Sequence, residues 1–222
     1  MLSTEVLVPA GRQSAGPGFE SVERLRSTLG YYGANALRYA AATAKIDTSE
    51  RIAQFTALLP AGGRVLDAGC GGGRDLLQFH SKGLSAVGLD LSPELAEIAR
   101  SRSGCEVVVG DLQSPPPLGF FDGVWAMASL LHIDRSRIDS TLSALASMLS
   151  PNGVFFSSVK RGMGDVSDDT GRWFTLYGET QWADHLRDAG FDVIKITGEP
   201  PTTDSSTGTV APGWISSLAR RL

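Results

Sequence analysis

Residues 65–75, Val65-Leu66-Asp67-Ala68-Gly69-Cys70-Gly71-Gly72-Gly73-Arg74-Asp75, limit what this chain can become more than any other stretch. An apolar pair ends in a carboxylate, breaks into alternating glycines and resumes as a helix-compatible segment, Arg74 to His80. Strand, glycine turn and helix is how an α/β domain brings bare backbone and a helix N-terminus up to a ligand. Glycine is needed there because a Cβ would block both the tight turn and the close approach. Spacing narrows the ligand class. A dinucleotide fingerprint G-x-G-x-x-G/A starting at Gly69 requires a small residue at 74, where this chain has Arg74. A P-loop requires Gly-Lys-Ser/Thr, and Arg74-Asp75 is neither. What remains is Asp67-x-Gly69-x-Gly71-x-Gly73, with the acid at the end of the strand.

The flanking chain alternates strand and helix. Ser92-Pro93-Glu94 is a strong helix start, and Gly83 and Gly104 are natural helix stops. The triple proline 115–117 must be loop, because none of the three can donate a backbone hydrogen bond. The spacing of Ile138, Leu142, Leu145 and Leu149 predicts an amphipathic helix over 136–150. Such alternation predicts an α/β fold with a doubly wound, mostly parallel sheet. The end of the chain departs from it. Strands at 191–196 and 214–219, joined through a loop at 202–208 without a helix, predict an antiparallel C-terminal hairpin. Ahead of the glycine motif, helices are expected at 19–29, 31–40 and 49–59, the last with Ser49 as N-cap. Residues 1–20, rich in glycine and proline, read as a flexible tail. The expected organisation is that tail, a helical cover at 21–60 and a core at 61–222, forming one domain.

Composition excludes several classes. At 222 residues with 42% hydrophobic and 20% charged side chains, the chain can bury an ordinary globular core. A formal charge of −4 and a pI near 5.4 disfavour a protein whose main work is gripping nucleic-acid backbone. No run approaches the roughly 18 apolar residues of a membrane span, and the N-terminus lacks the pattern of a signal peptide. The two cysteines, Cys70 and Cys105, form neither a disulfide framework nor a metal spacing. The expectation is a cytoplasmic protein, monomeric or homodimeric, with no membrane partner and no metal.

The motif at 67–73 resembles motif I of the class I S-adenosylmethionine-dependent methyltransferases. The resemblance continues in family order through residues 86–92, 107–112, 121–127 and 149–155, and covers about residues 31–222. It implies a seven-stranded Rossmann-like sheet and S-adenosyl-L-methionine as cofactor, with S-adenosyl-L-homocysteine as product. Carried over by motif, the cofactor set is Tyr39, Asp67, Gly69, Cys70, Gly71, Gly73, Arg74, Asp90, Leu91, Ser92, Asp111, Leu112, Met127 and Ala128. Asp67 stands at the ammonium end, Asp90 accepts from the ribose hydroxyls, and Asp111 takes the adenine amino hydrogen. An acid near 90 also serves ribose in NAD enzymes. Arg74 and the register of Asp111 separate the two classes.

For the methyl acceptor, His132 follows the fourth strand and is the histidine placed to act as a base near neutral pH. His80 and His185 are expected on solvated helix faces. Tyr31, Lys160, Arg172 and Tyr177 are the further acceptor-binding candidates, with residues 161–180 as a lid. An aromatic pocket with an arginine suits a planar or anionic small molecule. The resulting expectation is a methyltransferase acting on a small molecule by in-line displacement. Two other readings stay open: methylation of RNA or protein, and a domain that binds the cofactor without transferring methyl.

Overall fold

The computed structural model describes residues 17–203 and 210–222. Most of the predicted tail, and most of the loop expected at 202–208, therefore lie outside the described residues. The chain opens with two helices, α1 (Pro17–Thr43) and α2 (Ser49–Thr56). The helices expected at 19–29 and 31–40 are one continuous α1, since Gly30 lies within it and does not break it. At α2 the residue in the N-cap position is Thr48, not Ser49, and its hydroxyl does not cap the helix. It donates instead to the buried Asp75 carboxylate at 2.7 Å.

The core then alternates: β1 (Arg64–Ala68), α3 (Arg74–Ser81), β2 (Ser85–Asp90), α4 (Pro93–Ser103), β3 (Glu106–Val109) and β4 (Phe121–Met127). Ser92 caps α4 as its sequence predicts, accepting from the Leu95 amide at 3.3 Å ahead of Pro93. Two 3₁₀ turns, Leu130–His132 and Arg135–Arg137, precede α5 (Ile138–Ser147). There follow β5 (Leu149–Arg161), β6 (Asp165–Ser167), β7 (Trp173–Tyr177), α6 (Glu179–Asp188), β8 (Phe191–Gly198), the short β9 (Thr202–Thr203) and β10 (Val210–Ala211), and β11 (Trp214–Arg221).

The main sheet runs β3-β2-β1-β4-β5-β11-β8, parallel as far as β5. β11 pairs antiparallel with both β5 and β8, which is the C-terminal departure expected from the sequence. The seven expected strands are thus present. The segment expected as an irregular lid adds two more, an antiparallel β6–β7 hairpin docked in parallel on the end of β5. Pairing of β1 between β2 and β4 puts the reversal of strand order beside Gly69, where an open α/β sheet presents its ligand crevice.

Apolar side chains from α5, α6 and β4–β5 fill one face of the sheet, around Leu142, Leu145, Phe155, Trp182 and Phe191. The other face packs Ile52, Phe55, Phe79, Trp125 and Phe156, with Trp125 stacked on Phe156 at 3.9 Å between ring centroids. α1 crosses the C-terminal sheet edge. It is held to the β6–β7 hairpin by the Arg24–Asp165 ion pair (2.8 Å), by Ser27 donating to the Gly171 carbonyl (2.7 Å), and by the Trp173 amide donating to Thr28 (3.0 Å). No described helix is long and apolar enough to cross a membrane.

Candidate active site

Under α1, where the ends of β1, β4 and β5 meet, lies a cavity of about 450 Å³. A smaller recess of about 110 Å³ opens beside it, over the ends of β2 and β3. The two share Tyr32, Tyr39, Gly69, Gly71, Ala128 and His132 in their walls.

The glycine turn sets the floor. Gly69 has φ +82°, and a Cβ there would lie 2.2 Å from the Ser129 Cβ. That closeness is fixed because Ser129 donates to the Ala68 carbonyl at 2.6 Å, after the chain has turned through Ala128 at φ +55°. Gly71, at φ +52°, faces open space, with only the Tyr39 ring 3.7 Å from where a Cβ would stand. Gly73 is different. A Cβ on it would lie 2.8 Å from the Ala99 Cα, so it packs α3 against α4 and lines neither cavity. The expectation that Gly73 faces the cofactor is corrected accordingly.

The three acids at the strand ends stand on this floor. Asp67 is buried, and its Oδ2 has no hydrogen-bond partner. Burial, reinforced by the neighbouring Asp75 carboxylate, raises its pKa well above the ordinary value. Asp90 accepts from the Gly71 amide at 2.7 Å through one oxygen and from the Ser92 amide at 2.9 Å through the other. Burial raises its pKa against the pull of those amides. Each Asp90 oxygen keeps a lone pair for another donor. Asp111 accepts from the Gln113 amide at 2.8 Å and lines the recess with Leu91, Ser92 and Leu112. Cys70 and Met127 line the larger cavity, and burial pushes the Cys70 thiol up, so it stays neutral.

Asp75 organises this side although its sequence position gave no hint of it. Its two oxygens accept from Thr48 (2.7 Å), from the Trp125 indole (2.9 Å) and from Arg74 in a fork (2.7 and 2.6 Å). Arg74 is therefore a tethered residue of the wall. A carboxylate that joins α2, α3 and β4 through a buried network has the character of a framework.

On the acceptor side the central group is His132. Its Nδ1 lies 2.7 Å from the Trp173 carbonyl and its Nε2 2.9 Å from the Tyr32 hydroxyl. A carbonyl only accepts, so Nδ1 carries the hydrogen and Nε2 accepts from Tyr32. Burial pushes the imidazole pKa down to about 4, and Arg172 and Lys160 act in the same direction. Burial likewise raises the Tyr32 phenol well above its ordinary value, so the pair is neutral at physiological pH. Lys160 and Arg172 complete the wall, with Phe174, Leu131 and Trp214. Arg172 is gripped by Asp168 through two bonds, at 2.9 and 2.6 Å.

Three expectations on this side fail. Tyr177 is wholly buried against Trp182 and His185, outside the cavity. Residues 173–177 form a strand, and its alternation turns Phe174 toward the site and Tyr177 into the core. Tyr31 also lies outside the cavity wall, stacked under Arg172 with 4.5 Å from Cζ to the ring centroid; the cavity tyrosine is Tyr32. His185 is not solvated, since its Nδ1 pairs with Asp139 at 2.6 Å and its side chain is largely covered. Among the described residues no three His, Cys, Asp or Glu side chains converge as metal ligands.

Comparison with known proteins places this arrangement. Residues 65–153 match the family described as Methyltransferase domain. Over 110 residues the chain is 40% identical to the ubiquinone biosynthesis O-methyltransferase of Xanthomonas axonopodis pv. citri, covering 46% of this chain and 44% of that protein. It is 39% identical over 90 residues to the magnesium-protoporphyrin O-methyltransferase of Rhodobacter capsulatus, covering 38% and 40%. The match thus spans under half the length of both curated relatives. The fold superposes on the 1,6-didemethyltoxoflavin-N1-methyltransferase of Burkholderia thailandensis, a structure with S-adenosylhomocysteine bound. There the TM-score is 0.70 at 23% identity, over 96% of this chain and 92% of that one. With the glycine turn, the strand-end acids and the sheet order in agreement, the chain carries a methyltransferase domain over residues 65–153, set in a fold shared with S-adenosylmethionine-dependent methyltransferases.

Proposed function

We propose that this chain transfers a methyl group from S-adenosylmethionine to a small-molecule acceptor held in the larger cavity. The observation that carries the reading is the meeting of two differently built pockets at the Tyr32–His132 pair. The recess, with Asp90 and Asp111 in its wall, suits an adenosine. The larger cavity has room for the cofactor's amino-acid end and a modest acceptor together. The orphaned buried oxygen of Asp67 suits an ammonium group, which would relieve the cost of an unpaired buried charge. When bound, the cofactor supplies a methyl already activated by its sulfonium.

What this chain contributes is position and exclusion of water. Gly69 and Gly71 let backbone approach the cofactor, and Asp90 can accept from two hydroxyls. α1, tied to the β6–β7 hairpin, closes the top. The Tyr32 hydroxyl donates to His132 Nε2, which leaves its own lone pairs for a hydroxyl or amine on the acceptor. As the acceptor atom gives up its proton, Tyr32 takes it and passes its own to His132. An imidazole held near pKa 4 is a weak proton sink, so the pair suits an acceptor that is itself acidic. The names of the relatives, which include a ubiquinone biosynthesis O-methyltransferase and a magnesium-protoporphyrin O-methyltransferase, support a small molecule over a polymer.

The test is to incubate the purified protein and methyl-labelled S-adenosylmethionine with separate small-molecule, RNA and protein fractions from an extract of the source organism. Label is expected in the small-molecule fraction. Label in RNA or protein would overturn the acceptor class. Cofactor binding with label in no fraction would favour a binding domain.

A further inference from the structure

The charged groups around the larger cavity pair off, with two exceptions. Arg51 pairs with Glu199, Arg74 with Asp75, and Arg172 with Asp168. Among the described residues that line this cavity, Asp67 has a buried oxygen without a hydrogen-bond partner, and Lys160 is the cation in no ion pair or hydrogen bond. Lys160 lies instead over two rings, its Nζ 4.8 Å from the centroid of Phe174 and 5.3 Å from that of Trp214. Half burial costs an ammonium part of its solvation, and the two rings and the Asp168 carboxylate return only some of it. Burial accordingly lowers the Lys160 pKa, and Arg172 adds to the effect.

The two unmatched charges stand on opposite sides of the cavity. Strand register puts Asp67 in one row with Trp125 and Phe156. Lys160 is four residues further along β5 than Phe156 and two strands away from β1. At ordinary sheet spacings that is about 13 Å along and about 10 Å across. Asp67 stands beside the glycine turn, where Arg74 is also at hand for a carboxylate. Lys160 belongs with Phe174, Trp214 and the His132–Tyr32 pair.

We infer that the acceptor is a planar organic acid whose anionic group pairs with Lys160 while its flat body lies against the Phe174 and Trp214 rings. This deepens the methyltransferase reading and rests on it. The rings give an apolar wall suited to an aromatic or conjugated body, and the ammonium between them fixes which end carries the charge. With the acid group anchored there, the opposite end of the molecule is the one presented to Tyr32.

The experiment is calorimetry on the full chain saturated with S-adenosylhomocysteine. The probes are hydroxybenzoates and hydroxycinnamates, each measured beside its uncharged carboxamide. At least one acid is expected to bind roughly ten- to hundredfold tighter than its amide, the range for a hydrogen bond to a charged group. Lys160→Met should abolish that difference and leave S-adenosylhomocysteine affinity unchanged. Equal or absent binding of acid and amide across the whole panel would overturn the proposal. So would a Lys160→Met variant that loses S-adenosylhomocysteine affinity instead, because Lys160 would then serve the cofactor's own carboxylate. If the wild-type chain bound no S-adenosylhomocysteine at all, the methyltransferase reading itself would fail. The acid–amide comparison needs only the wild-type chain, so it stands whether or not the variant folds.

Discussion

Around Asp67 and Asp90 the wall of the cavity is largely backbone and strand ends. Around His132 and Lys160 it is side chains gathered from elements far apart in the chain. The first half comes from β1, β2, β3 and the turns that leave them, with Asp90 held by the Gly71 and Ser92 amides and Asp111 by the Gln113 amide. The second half draws Tyr32 from α1, His132 from the turn after β4, Lys160 from β5, Phe174 from β7 and Trp214 from β11. Tyr32 and His132 meet across 100 residues of sequence. Backbone geometry permits little variation, so the first half keeps one ligand. Side chains at strand ends, on a β-hairpin and on a cover helix can be exchanged without disturbing the sheet, so on the proposed function the second half is where an acceptor would be chosen. If this comparison holds, substitutions in one half should leave the other half's ligand alone.

The largest separation is expected at His132. Asparagine there retains a donor near the Nδ1 position for the Trp173 carbonyl and removes Nε2. Turnover with an ionisable acceptor should fall about 10²–10⁴-fold, while S-adenosylhomocysteine affinity stays within about twofold. A fall in both would break the comparison. The same variant carries a pH signature. The His132 imidazole is lowered from 6.5 to about 4 in the folded chain. Between those values the unfolded chain binds the extra proton, so the stabilising contribution is complete above the unfolded value. It is lost as pH falls toward the folded one, by about 3 kcal/mol in all. Denaturant titrations from pH 7 to pH 4 should show that loss in the wild-type chain and less of it in His132→Asn.

A smaller effect is expected on the other side. Asp90→Ala removes a charged acceptor from the two hydroxyls assigned to it, and cofactor affinity should fall about ten- to hundredfold. The fold should persist, since Asp90 closes a strand instead of crossing the core. With saturating cofactor, turnover should recover most of its wild-type value. Unchanged affinity by calorimetry would remove Asp90 from the cofactor site.

The same division explains what could be read from the sequence. Strand-end acids and spaced glycines keep their meaning without tertiary context, because the succession of strand, turn and helix in the chain already puts them at the edge of a parallel sheet where ligands bind. Asp67, Asp90 and Asp111 were legible for that reason, and so was the departure of β8 and β11 from the parallel pattern. Tyr31 and Tyr32 were not separable. Neighbours on a helix point about 100° apart, and the direction of α1 depends on where it docks. Trp173-Phe174-Thr175-Leu176-Tyr177 lacks the polar alternation of a surface strand, so nothing in it showed that Phe174 and Tyr177 face opposite ways. Asp75 was hidden for another reason. Its partners, Thr48 and Trp125, lie 27 and 50 residues from it.

The central claim is that the glycine turn and the strand-end acids form a site for S-adenosylmethionine and not for a dinucleotide. Calorimetric titration of the full chain with S-adenosylhomocysteine, and separately with NAD, tests it most directly. Saturable one-to-one binding of S-adenosylhomocysteine, with no heat of binding from NAD at the same concentrations, is the predicted result. Binding of NAD with none of S-adenosylhomocysteine would contradict the account.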